Sequence, residues 1–212
     1  ARTGVTVVVP RDGSVQDDNV FAAYYSFSGN GEMTGLPWLE KTGLLGSPIA
    51  ITNTHQVGVV RDARVEYAAE RGLAGWALPV VAETYDGYLN DINAFHVKKE
   101  HVFQALDAAS RGPVAEGNVG GATGMTCHRF KGGIGTASRV ARIDSASYTV
   151  GALVQANHGR RTQVRVDGVP VGKEIGVDVV PAPGSSDAGG GSIIIIVATD
   201  APLIPVQCKR LV

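Results

Sequence analysis

The chain has 212 residues, 44% hydrophobic and 18% charged, with a formal net charge of −1. That length allows one sizeable core or two small ones, and the near-neutral balance leaves no basic footprint for nucleic acid and no basic helix aimed at a membrane. The longest apolar run, residues 193–198, is far too short to span a bilayer, and no leader peptide is evident ahead of the first strand-like run. Cys127 and Cys208 are the two cysteines, which make no disulfide framework. Both are expected as buried small apolar residues, in keeping with a reducing cytoplasm. The 28 glycines are aperiodic and cluster between apolar runs, which predicts many tight strand connections.

In chain order, residues 5–9 (VTVVV) read as a buried β-branched strand closed by Pro10. Residues 49–52 (IAIT) read as a second strand. A helix follows over 56–71, bringing Val57, Val60, Arg64, Val65 and Ala68 near one another at three-to-four spacing and ending at Gly72. Residues 79–82 (PVVA) are a third strand, with the proline at its start. A second helix over 97–110 places Val102, Phe103, Leu106 and Ala109 on one face, ahead of Gly112-Pro113. Strands are predicted over 147–155 and 162–166, the latter followed by an Asp167-Gly168 turn. Residues 181–191 (PAPGSSDAGGG) read as a flexible loop, and 193–198 (IIIIVA) as the most strand-like segment of all. A last helix is predicted from Ala201, with Asp200 as N-cap and Pro202 in the first turn. A pattern that opens in a strand and closes inside an amphipathic helix suggests a single, incomplete domain over 1–212.

The glycine-rich stretches 117–124 (GNVGGATG) and 132–135 (GGIG) lack the Gly-Lys-Ser/Thr ending of a phosphate loop and the last glycine of a dinucleotide fingerprint. They read as tight turns beside a site. His55, His96, His101, His128 and His158 show no zinc-pair spacing and read as structural or surface residues, so no metal is expected. Glu83, Asp86 and Asp91 follow the 79–82 strand, either as a polar loop of Asx turns or as functional side chains at a strand end. Glu83 and Tyr85, two apart, share one face of an extended segment, where a carboxylate and a phenol can hold an ammonium group and a carbonyl oxygen. Asn157, at the end of the 147–155 strand, is a turn former or a donor to an oxyanion. Ser192 lies in no nucleophile elbow, since isoleucines follow it. It is either a boundary residue or a latent N-terminal nucleophile. If the Gly191–Ser192 bond were cut, its own α-amine, with a reference pKa of ~7.7–8.0, would be the base. Flexible glycines on one side of that bond and a stiff strand on the other suit such chemistry.

Gly191-Ser192 followed by IIIIVATDAPL resembles the autoproteolytic junction of the DmpA family, the L-aminopeptidase/D-esterases and β-peptidyl aminopeptidases. RTGVTVVVP, ITNTHQVGVVRDA, PVVAETYDGYLNDI, GPVAEGNVGGATGM, FKGGIGTASR, YTVGALVQAN and VDGVPVG resemble stretches of the same family in the same order. The resemblance implies an α/β fold, a four-layer αββα sandwich of the Ntn-hydrolase type, and a precursor that cuts itself. It implies Ser192 as nucleophile and Gly191–Ser192 as the cleavage site, with the Ser192 α-amine as base. Asn157 is implied as oxyanion donor, Glu83 as the anchor of the substrate's amino group, and Tyr85 as a catalytic residue that places the scissile carbonyl. The implied substrates are short peptides, amides or esters, without cofactor, and the implied partners are the chain's own cleaved fragment and a homotetramer. Two alternatives stand beside this: an acyltransferase like the ornithine acetyltransferases, and a catalytically incomplete fragment, because the family extends beyond the nucleophile with further catalytic residues.

Overall fold

A computed structural model describes residues 1–73, 75–182 and 191–212. Its strands and helices are β1 (Thr6–Val8), β2 (Val20–Phe21), α1 (Leu36–Thr42), β3 (Leu44–Leu45), β4 (Ile49–Asn53), α2 (Val57–Glu70), β5 (Val80–Thr84), α3 (Lys99–Asp107), β6 (Thr126–Cys127), β7 (Phe130–Lys131), β8 (Gly133–Ile143), β9 (Ala146–Asn157), α4 (Val171–Glu174), β10 (Ser192–Thr199) and α5 (Pro205–Leu211).

Two three-stranded sheets face each other, one ordered β1-β4-β5 and the other β10-β9-β8. In the first, β4 and β5 run parallel, which requires a crossover, and α2 supplies it. A 3₁₀ turn over Thr54–Gln56, capped where the Asn53 side chain accepts the His55 N–H, leads into the helix, which is closed off by Gly72, whose φ of 66° only glycine adopts freely. Val57, Val60 and Ala63 of α2, with Val102 and Leu106 of α3, pack on Ala50 and Val81. Of the predicted helical stripe, Val57, Val60 and Arg64 are buried, Ala63 joins them, and Val65 is exposed. Ala109 lies beyond the end of α3 and is exposed. A satellite cluster of Leu39, Leu45 and Val80 seats α1, an element the sequence reading did not anticipate.

The second sheet holds the long β8–β9 hairpin, turned at Asp144 with φ 54°. The sequence of β8 (GIGTASRVARI) is too polar and glycine-rich to read as a strand. It forms because β9 offers it a complete ladder of partners. Three layers of the expected four are therefore present among the described residues: the α2/α3 helices and the two sheets.

Two further expectations are corrected. Residues 162–166 are not a strand but a 3₁₀ turn at Arg161–Gln163 and a single Val166–Val169 bridge. There the Arg161 guanidinium, buried and stacked 4.2 Å over Phe130, donates to the carbonyls of Arg129, Gly176 and Val180. Three carbonyls gathered around that buried cation hold the segment out of a ladder, although its Nε has no partner among the described residues. The Asp167-Gly168 turn is present, with φ of 50° and 81°. The last helix begins at Pro205 rather than Ala201, because Asp200 accepts the Thr149 N–H at 2.6 Å and stays with the sheet. The predicted loop 181–191 lies mostly outside the described residues. No helix among those described is long and apolar enough to cross a membrane.

Candidate active site

Ser192 is the first residue of β10 and stands directly opposite Asn157, the last residue of β9. Cross-strand partners share a face, and this face looks toward the first sheet. Next along it, Ile194 opposes the fully buried Gln155, whose amide donates to Thr84 Oγ1 of β5 at 2.7 Å. The register thus carries Ser192 to the seam between the sheets, at the end of β5.

At that seam Ser192 Oγ accepts from Asn157 Nδ2 at 3.1 Å and from the Tyr85 backbone N–H at 3.2 Å. Asn157 Nδ2 also donates to the Tyr85 carbonyl at 2.8 Å, while its Oδ1 accepts the Thr126 N–H at 3.0 Å. An N–H donor on one side and two acceptors on the other fix which end of the amide is which. Asn157 is buried, so its donor is preorganised and needs no reorganisation when charge appears on a nearby oxygen. Both N–H groups reach the Ser192 hydroxyl oxygen itself, and together they hold that hydroxyl at the seam.

Tyr85 is therefore at the site through its main chain. Its ring is 42% exposed, meets Tyr88 edge to face at 5.9 Å, and folds over Gly87, where an added Cβ would lie 2.3 Å from the phenol oxygen. Glu83 precedes Thr84 on β5 and projects to the opposite face. Its buried carboxylate accepts the Glu32 N–H at 3.1 Å and the Thr54 hydroxyl. Among the described residues it makes no hydrogen bond to Ser192 or Asn157. Asp86 is fully buried; burial pushes its carboxyl above the ordinary aspartate range, opposed by hydrogen bonds from Thr3, Asn90 and Asn53. The Asp86 backbone carbonyl accepts the Leu89 and Asn90 N–H groups, so the main chain rather than an Asx turn closes this loop.

Gly191 fits its place closely: a Cβ there would lie 2.6 Å from His158 Cβ and 3.0 Å from the Asn157 carbonyl. The bond before Ser192 thus emerges from between β9 and its turn, where any larger residue would push the junction away. Sequence reasoning missed Thr126, which orients Asn157, and Thr54 and Glu32, which hold Glu83, because backbone donors and hydroxyls carry no motif. It also missed a group of three. Cys127, His128 and His158 each offer a ligand atom, all within 4.8 Å of one another. Cys127 is half-buried rather than buried, as is Cys208, since a two-residue strand and a short terminal helix give only partial cover. Burial pushes the Cys127 thiol up, opposed by the His158 backbone N–H; burial and then His128 push His158 down.

The whole chain, residues 1–212, matches the description of peptidase family S58. It is 54% identical over 221 residues to the β-peptidyl aminopeptidase BapA of Sphingosinicella microcystinivorans, an alignment covering 99% of this chain and 56% of that protein. A β-aminopeptidase of Burkholderia sp. superposes with a TM-score of 0.90 at 55% identity, over 99% of this chain and 57% of that one. The L-aminopeptidase D-Ala-esterase/amidase of Ochrobactrum anthropi, described as a serine aminopeptidase and a variant among Ntn hydrolase folds, superposes with a TM-score of 0.84 at 42% identity, over 100% of this chain and 64% of that one. The chain thus spans just over half the length of the curated relative.

Proposed function

The chain belongs to peptidase family S58 and has its Ntn-hydrolase-like α/β fold, and from that premise we propose that the protein is a self-processing serine aminopeptidase. The observation that carries the reading is the pair of N–H donors, Asn157 Nδ2 and Tyr85 N, meeting on Ser192 Oγ at a glycine-to-strand junction. Hydrolysis of the Gly191–Ser192 bond frees the Ser192 α-amine. That amine takes the proton of its own hydroxyl as Oγ attacks the substrate's scissile carbonyl. Asn157 and the Tyr85 main chain donate to the charge that develops on oxygen, and the Tyr85 ring lines the approach. The leaving amine or alcohol departs with a proton, and water then releases the acyl group from Ser192. The family resemblance assigns the substrate's ammonium group to the Glu83 carboxylate, which must then exchange its bonds to Thr54 and the Glu32 N–H for that group. Residues 1–212 act as one domain, with 181–191 as the loop leading into the cleavage site.

Short peptides, amides and esters are the substrate class. The 54% identity to a β-peptidyl aminopeptidase makes peptides with an N-terminal β-residue the first to assay. No cofactor takes part in this chemistry. The two free cysteines suit a reducing cytoplasm, and the family resemblance supports a homotetramer. Intact-mass measurement of the full-length protein should show a break before Ser192. Ser192→Ala should abolish both the break and hydrolysis, and sedimentation of the same preparation should give a tetramer. An intact Ser192→Ala protein with full activity would sink the proposal.

A further inference from the structure

We propose that Cys127, His128 and His158 form a binding site for a zinc-class divalent cation beside the nucleophile. The donor set is the first argument. One thiol and two imidazoles suit zinc and its neighbours, and not magnesium or calcium, which take oxygen ligands. The ligand atoms lie within 4.8 Å of one another. Shifts of about 1 Å bring them to the distances that Zn–S bonds of ~2.3 Å and Zn–N bonds of ~2.0 Å dictate.

The second argument is the tautomer of His128. Its Nδ1 lies 3.0 Å from the Arg160 carbonyl, and a carbonyl only accepts, so Nδ1 carries the proton and Nε2 holds a free lone pair. A ring N–H donated to a backbone carbonyl is the outer support that metal-bound histidines show.

The third argument is the backbone. Cys127 ends β6, and His128 and Arg129 make the two-residue turn to β7 with φ of 51° and 61°. Turns of this kind favour Asn-Gly, and left-handed backbone is disfavoured for residues other than glycine. The turn is held from outside: the His128 N–H donates to the His158 carbonyl at 2.6 Å. Gly159, φ 90°, has no Cβ because one would lie 2.4 Å from His128 Nδ1. Two separate pieces of chain are thus locked with their donors together.

The position gives the site a role. Cys127 follows Thr126, whose N–H orients Asn157, and His158 follows Asn157 itself. A cation joining Cys127 to His158 therefore ties both anchors of the oxyanion amide. Three protein donors leave a fourth position for water or another ligand.

The test uses untagged, reduced, full-length protein freed of metal by a chelator and titrated with Co²⁺ and with Zn²⁺, in parallel with Ser192→Ala, so that binding is read independently of peptidase activity. A single cobalt ion per chain is expected, with a thiolate-to-cobalt charge-transfer band and displacement by zinc. Cys127→Ser, close to isosteric, should remove the band and weaken zinc binding by about tenfold or more. His158→Gln should weaken it similarly, and Cys208→Ser should change neither. A Co²⁺ complex without the thiolate band, zinc affinity unchanged in Cys127→Ser, or no binding at all would overturn the proposal.

Discussion

Asn157 shows how much one side chain does here. Its amide links three pieces of chain, accepting from Thr126 and donating to both Tyr85 and Ser192. Replacement by alanine leaves the Thr126 N–H and the Tyr85 carbonyl without their partner and removes one donor from the reacting oxygen. On the proposed mechanism, Asn157→Ala should lower kcat by about 10²–10³-fold, the usual effect of losing one oxyanion donor. A kcat loss with KM little changed, measured on a chromogenic amide, is the outcome that supports this role. Asp86 makes the opposite kind of prediction. Its folded-state pKa is raised chiefly by burial, so its ionised form is disfavoured in the folded protein. Stability linked to Asp86 is full below the ordinary aspartate pKa and is lost as pH rises through the raised folded value. Urea denaturation of Asp86→Asn against the parent should show a stability difference that moves in favour of the variant from acid to neutral pH. A pH-independent difference would rule this out.

At the scale of elements, a short 3₁₀ turn, Gly120–Ala122, packs against strands of both sheets. A Cβ on Gly121 would lie 2.7 Å from the Ile51 carbonyl and 2.8 Å from Gln155 Oε1. Both neighbours are fully buried, so neither gives way easily. Gly121→Ala should cost about 1–3 kcal/mol of stability, as overpacking does, measurable as a lowered denaturation midpoint. The glycine-rich stretch around it was legible as tight turns beside a site. That the turn would meet both sheets was not, because its partners, Ile51 and Gln155, are distant in sequence. Strand β8 was illegible for a related reason. Its alternation is weak and most of it is exposed, and its conformation comes from β9. The Asp200 cap failed because a side chain that can begin a helix can equally accept from a strand N–H, and here Thr149 supplied one.

For the whole molecule, the two sheets differ in how they are covered. The first is buried between helices and the second sheet. The second turns its other face outward, with Ile195 57% and Ile143 59% exposed. β10 is also an edge strand in the order β10-β9-β8, and an apolar, β-branched, uncharged edge without proline is a template for further pairing. A polypeptide of residues 1–212 by itself should therefore bind an apolar dye and self-associate. Ile195→Lys should reduce both, by light scattering and dye fluorescence. Equal scattering from parent and variant would place the association elsewhere.

By itself, the sequence determined the family, the buried strands at 49–52 and 79–82, the strand at 193–198 and the two main helices, and it singled out Glu83, Tyr85, Asn157 and Ser192 as candidates. Each of these rests on local information: β-branched runs, three-to-four periodicity, or ordered motifs along the chain. Tertiary structure decided the rest, because it depends on register and on packing between distant segments. The pairing of β9 with β10 sets Asn157 against Ser192. The end of β5 contributes the Tyr85 main chain rather than its phenol, and no side-chain motif announces a backbone N–H. The same antiparallel return that places Asn157 brings His158 to Cys127 and His128, three residues whose spacing along the chain says nothing of their meeting.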